Sequence, residues 1–201
     1  MSMRGERSRL AILATVAVCV ALLAGVAGWA LFGQRGASSG PEIGGAFSLV
    51  DKDGRPVTDR DLRGRYALLY FGYTFCPDVC PTTLNAVAAA VDLLGTQAAS
   101  LTPVFVTIDP RRDTPKVVGS YVAAFSPRLL GLTGTPEQIA AVTSAYRVYA
   151  APHRTGPGPN DYTMDHTSLL YLMAPDGHFV TPVRADQTPA AMAAELKRNM
   201  T

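Results

Sequence analysis

Little in this chain would hold a polynucleotide. Its 18 Lys and Arg are nearly matched by 16 Asp and Glu, for a formal net charge of +2, and no basic run exceeds two residues. A sequence-independent grip on phosphates needs clustered cations, so nucleic acid is excluded as a partner class. Histidine and cysteine are also scarce, with three of each in 201 residues. Any metal site built from them is therefore small. No internal repeat is present, which leaves one domain with a proper core plus an appendage.

Charge is absent from a long stretch near the amino end, Leu10 to Phe32. As a helix this stretch extends about 35 Å at about 1.5 Å per residue, more than the ~30 Å of a hydrocarbon core. The apolar region of a cleaved secretory signal usually runs only about 7–15 residues, so residues 10–32 are expected to form a transmembrane anchor. Cys19 lies inside it, preceded by Val18 and not by the small residue that lipid attachment favours. It reads as a small apolar residue facing lipid.

Arg4, Arg7 and Arg9 precede the stretch and only Arg35 follows closely. The positive-inside rule then keeps residues 1–9 cytoplasmic and sends the rest into the periplasm or its equivalent. The expectation is a single-pass protein of the inner (cell) membrane. Residues 33–45, rich in Gly, Ser and Pro, read as a flexible tether, and residues 46–201 as the folded domain.

Within that domain the pattern alternates. Ala46–Val50 reads as a strand, ended by the turn Asp51-Lys52-Asp53-Gly54. Tyr66–Gly72 is an unbroken apolar run that reads as a buried strand, and Pro103–Ile108 is another. Thr82 to about Ala98 reads as a helix, with Leu84, Val87, Val91 and Leu94 at helical spacing. Thr114-Pro115, Thr135-Pro136 and Thr188-Pro189 each place a capping hydroxyl before a first-turn proline, which starts three more helices. Ala150–Asp161, dense in Pro and Gly, reads as a loop. Ser168–Ala174 and Phe179–Val183 read as a hairpin about the turn Pro175-Asp176-Gly177-His178. Strands alternating with helices, closed by a hairpin and a helix, argue an α/β sandwich. Thiols at the end of an early strand make this a thioredoxin-like arrangement.

The most informative residues are Cys76 and Cys80, in the run Phe75-Cys76-Pro77-Asp78-Val79-Cys80-Pro81 between the buried strand and the first helix. Backbone N–H groups and the helix dipole favour thiolate at such a junction. Thiolate is the form that attacks disulfides and binds soft metals. The spacing is C-x-x-x-C, where thiol-disulfide oxidoreductases typically carry C-x-x-C. The longer loop lets both sulfurs converge on an ion and still permits a disulfide. The domain is expected in an oxidising compartment, where a purely structural disulfide would also persist.

Two thiolates leave most metals short of a ligand. His178 sits in a hairpin turn and His153 in the Pro/Gly loop, and both read as exposed. His166, in Asp161-Tyr162-Thr163-Met164-Asp165-His166, immediately precedes a strand, where a lone histidine is more often structural than ligating. Two thiolates and an imidazole suit three-coordinate Cu(I), or Cu(II) with an added oxygen. Zinc remains open, since Asp161 or Asp165 can supply a fourth ligand.

Four runs together resemble the Sco/SenC family: Tyr70-Phe71-Gly72-Tyr73-Thr74-Phe75 leading into the cysteine loop, Thr107-Ile108-Asp109-Pro110-Arg111-Arg112-Asp113-Thr114, Gly131-Leu132-Thr133-Gly134-Thr135, and Asp161 to His166. They span nearly the whole chain after the tether, in order. The resemblance implies a thioredoxin-like copper chaperone, tethered to the membrane, that assists assembly of cytochrome c oxidase. It implies a copper ion as the bound metal, with Cys76, Cys80 and His166 as its ligands. It also implies transfer to the dinuclear copper centre of the copper-binding oxidase subunit. Other copper chaperones or thioredoxin-like reductases are further candidate partners. The alternative is a thiol-disulfide reductase in which Cys76 and Cys80 cycle through a disulfide and keep the acceptor's cysteines reduced. A thiol peroxidase needs a Thr and Arg pair beside its cysteine, and no pair here clearly supplies it.

The supporting residues have plainer readings. Asp109, Arg111, Arg112 and Asp113 either border the thiols and contact a partner, or cap a helix and form a local salt bridge. Asp78 reads as a turn former, Asp165 as an orienter of His166, and Tyr70 and Tyr73 as packing.

Overall fold

The computed structural model describes residues 43–200. The expected cytoplasmic segment, the anchor over residues 10–32 and nearly all of the tether lie outside the described residues. Among those described, no helix is long and apolar enough to cross a membrane.

The elements run β1 (Ser48–Val50), β2 (Pro56–Thr58), β3 (Tyr66–Gly72), α1 (Val79–Leu93), β4 (Leu101–Thr107), α2 (Pro115–Ala123), β5 (Leu130–Leu132), α3 (Pro136–Ala145), β6 (Ala150–Arg154), β7 (Tyr162–His166), β8 (Leu169–Met173), β9 (Phe179–Arg184) and α4 (Pro189–Asn199). Among the described residues the main sheet has five strands, in the order β5-β4-β3-β8-β9. β3, β4 and β5 are parallel, while β8 and β9 run antiparallel to their neighbours. This is the expected thioredoxin-like α/β arrangement.

Sequence explains the order. β3 is buried along its length after Tyr66, as a central strand covered on both faces must be. Pro103 has no N–H to donate, yet it lies within β4. It pairs with Leu68 of β3, and β5 begins to pair only at Val104, so the missing donor falls where that side of β4 is still unpaired. The threonine caps behave as read: Thr114, Thr135 and Thr188 each accept from a backbone N–H of the first turn, with proline following.

Two expectations are corrected. Residues 150–154, read as part of a loop, form β6, which pairs antiparallel with β7 as a separate two-stranded ribbon. Pro and Gly over 155–161 make the tip of that ribbon, and the pairing needs no propensity beyond cross-strand contact. His166 accordingly ends a strand, and does not merely precede one. The first helix begins at Val79, before the predicted Thr82, which carries Cys80 into its first turn.

Because β3 and β4 are parallel, the loops after Gly72 and after Thr107 leave the sheet on the same rim. In open α/β sheets this carboxyl rim is where ligands bind.

Candidate metal centre

The thiol loop is built by β3 and α1. Gly72 closes β3, and a Cβ on it would stand 2.8 Å from the Cys80 sulfur and 3.0 Å from Phe105. Glycine here makes the space in which that sulfur sits. Cys80 is fully buried, whereas Cys76 is half-buried, and both are free thiols. The Cys80 N–H donates to the Cys76 sulfur at 3.3 Å. Asp78 takes the N-cap position of α1, and its carboxylate accepts from the Thr82 hydroxyl at 3.4 Å, which agrees with a loop-shaping role.

The β6–β7 ribbon brings His166 to the same place. Its Nε2 lies 3.6 Å from the Cys80 sulfur. Its Nδ1 is 3.1 Å from the Thr167 carbonyl. A carbonyl can only accept, so Nδ1 carries the proton and Nε2 turns its lone pair toward the sulfur. The Thr167 carbonyl therefore orients the imidazole, in the place suggested for Asp165, which is exposed. Tyr70 and Tyr73 meet the ring edge-on, with centroids 6.2 and 6.1 Å away.

The thiolate expected at this strand-to-helix junction is corrected for Cys80: burial outweighs the helix dipole, and both Cys80 and His166 are held neutral. Burial pushes the Cys80 thiol up to about 12, against bonds from the Tyr73 backbone and the Tyr70 hydroxyl that pull it down. Burial also holds the His166 imidazole below its usual value. The Tyr70 hydroxyl lies 3.6 Å from the Cys80 sulfur and donates to it.

Separation is the first test of a shared ion. With metal–sulfur and metal–nitrogen bonds of about 2.3 and about 2.0 Å, an angle of roughly 110–120° sets sulfur and nitrogen roughly 3.5–3.8 Å apart. The Cys80–His166 pair meets that condition. Among the described residues, no three His, Cys, Asp or Glu side chains already stand as a complete cage. His153 and His178 are exposed and take no part.

The charged loop after β4 divides between the two readings. Asp113 is buried and accepts from Thr74 N, Thr74 Oγ1 and Thr107 Oγ1 at 2.9, 2.6 and 2.6 Å, tying this loop to the thiol loop. Arg112 points inward, pairs with Asp109 and donates to the Tyr162 carbonyl at 2.9 Å. Its guanidinium lies 3.7 Å from the Tyr162 ring centroid and 4.8 Å from that of Phe75. It joins thiol loop, sheet rim and ribbon. Arg111 alone is left exposed.

The family model for SCO1/SenC matches residues 35–201. The chain belongs to that family. It is 40% identical to Protein SenC of Rhodobacter capsulatus over 200 residues, which covers 96% of this chain and 90% of the relative. It is 43% identical to the mitochondrial SCO1 homolog of Homo sapiens, over 80% of this chain and 54% of that protein. It spans 60% of the length of the Schizosaccharomyces pombe and Mus musculus relatives. Among solved structures, Bradyrhizobium japonicum ScoI with copper bound is 48% identical, with a TM-score of 0.72, over 78% of this chain and 99% of that one. Yeast Sco1 with copper bound is 36% identical, also with a TM-score of 0.72, over 79% and 88% of the two chains.

Several site residues escape sequence reasoning. Tyr70, read as packing, donates to a thiol. Gly72 carried a signal, since a glycine inside a buried strand marks a close approach. Asp113 is singled out by its charged loop, although its partners Thr74 and Thr107 are set by tertiary contact; the Thr167 carbonyl carries no signal in the sequence.

Proposed function

We propose that this chain is a membrane-anchored copper chaperone that takes up a copper ion on Cys76, Cys80 and His166. It then passes the ion to the dinuclear copper centre of a cytochrome c oxidase subunit. The observation that carries this reading is the 3.6 Å approach of the His166 Nε2 to the Cys80 sulfur, with Nδ1 already bonded elsewhere. Copper-bound structures of similar proteins from Bradyrhizobium japonicum and yeast support it. Soft thiolates with one imidazole suit Cu(I).

Uptake requires the Cys80 thiol to lose its proton, and the imidazole is neutral and ready to ligate. Cys76, half-buried and nearer solvent, completes the set and offers the sulfur from which ligand exchange with an acceptor thiolate starts. Anchoring through residues 10–32, with the domain on the periplasmic side, holds the site beside a membrane-bound acceptor.

A second reading, a thiol-disulfide reductase, is favoured by one observation: Cys76 is accessible and accepts an N–H bond, while Cys80 is buried behind it. That is the layout of an attacking and a resolving thiol. His166→Ala separates the two. The chaperone reading expects this variant to lose copper and oxidase assembly while thiol-disulfide exchange with a small disulfide persists. Normal oxidase assembly by the variant would refute metal delivery through this site.

A further inference from the structure

The β6–β7 ribbon turns one face toward an open trough. Three of its five cross-strand pairs lie on that face: Ala150 with His166, Pro152 with Met164, and Arg154 with Tyr162. Directly opposed residues of an antiparallel pair share a face. Five of these six side chains line a cavity of about 630 Å³, and the sixth, His166, continues the row to the Cys80 sulfur. The facing wall is a stripe of α3, with Pro136, Ile139, Ala140 and Thr143 at helical spacing. From Tyr162 to His166 the row covers about 13 Å, at ~3.3 Å per residue.

The charge of the trough is one-sided. Arg111 and Arg154 stand exposed on its rim, and neither meets a carboxylate at ion-pair distance among the described residues. The carboxylate in the lining, Asp109, is buried and already bonded to Arg112 and to the Tyr162 hydroxyl. An apolar channel with two uncompensated cations remains.

We propose that this trough docks an extended acidic segment of the protein that exchanges metal with this chain, its carboxylates alternating with apolar side chains. The identity of the partner rests on the chaperone reading, whereas the chemistry of the segment does not. An extended segment sends alternate side chains to opposite sides. Apolar ones seat on Ile139, Pro152 and Met164, and carboxylates face Arg111 and Arg154. Complementary charge of this kind steers encounter and fixes register. The direction of the trough argues for a polypeptide over a small amphipathic anion. Metal passes between two proteins only when the acceptor's ligands come within bonding reach of Cys80 and His166, and a chain lying in the trough ends there.

The test uses the full chain, metal-free, in lipid nanodiscs. A fluorescent peptide of alternating Leu and Asp is titrated in, alongside its Leu–Lys counterpart and octanoate. The Leu–Asp peptide is expected to bind and to shift the Met164 methyl and His166 ring resonances. Arg111→Glu combined with Arg154→Glu is expected to weaken it about tenfold and flatten its salt dependence. Ala140→Trp, which narrows the trough from its α3 wall and leaves both arginines in the sequence, is expected to weaken it as well. Equal binding of the Leu–Lys peptide would overturn the proposal. So would binding indifferent to both variants, or octanoate shifting those resonances where the peptide does not. The copper affinity of the wild-type chain is measured in parallel. Loss of copper binding with peptide binding intact counts against the chaperone reading and leaves the trough assigned.

Discussion

The Nε2 of His166 meets the Cys80 sulfur at 3.6 Å, although 86 residues separate the two in the chain. One arrives on the first turn of α1 and the other at the end of the β6–β7 ribbon. Neither element alone is a site. The relationship depends on what holds the ribbon against the thiol loop, and on both groups being neutral before an ion arrives.

Copper affinity is expected to rise with pH well above neutrality. The Cys80 thiol, pushed up to about 12 by burial, is protonated at and well above neutral pH. Binding therefore expels that proton, and each pH unit gains about tenfold in affinity from this group alone. Calorimetry in buffers of different ionisation enthalpy counts the protons released. Fewer than one per copper at pH 8 contradicts the assignment of Cys80 as a ligand.

His166 gives a pH dependence of the opposite origin. Its folded value is held below the unfolded value of about 6.5, so the unfolded chain binds the extra proton. Above about 6.5 the group costs nothing, and stability falls as pH drops below that toward the folded value. In metal-free protein, His166→Gln is expected to reduce that acid-side slope in denaturant unfolding. An unchanged slope would show that the imidazole titrates alike in the folded and unfolded chains.

Gly72→Ala is expected to disturb the site from beneath. The added methyl meets the Cys80 sulfur at 2.8 Å and Phe105 at 3.0 Å, inside a packed core. Overpacking of this kind costs about 1–3 kcal/mol. Copper affinity should fall together with stability. Wild-type affinity in this variant would mean that the sulfur position is immaterial.

Arg112→Lys is expected to loosen the ribbon selectively. Lysine keeps the charge but loses the planar face on Tyr162 and the fork that reaches both Asp109 and the Tyr162 carbonyl. Hydrogen exchange should accelerate at Tyr162–His166 and stay unchanged in β3 and β4. A uniform change across the domain would mean that Arg112 supports the whole fold and not the ribbon.

Much of this was legible in the residues. Tyr66–Gly72 announced a central strand by its unbroken apolar run, and three Thr-Pro pairs announced three helices by cap chemistry. Cys76, Cys80 and His166 were named from scarcity and spacing, although their resemblance to a family carried the histidine. The ribbon was not legible. Its first strand, Ala-Ala-Pro-His-Arg, carries no alternation and contains a proline, so only pairing with Tyr162–His166 makes it a strand. The inward turn of Arg112 was equally hidden, since a charged loop reads as solvated until Tyr162 and Asp109 are placed around it.

Copper held by this chain is expected to meet three donors, the sulfurs of Cys76 and Cys80 and the Nε2 of His166. X-ray absorption at the copper edge, on the full chain loaded anaerobically with one equivalent of Cu(I), counts them directly. Two sulfur scatterers and one nitrogen are predicted, with the nitrogen lost in His166→Ala. A shell of sulfur alone, identical in wild type and variant, would contradict the account.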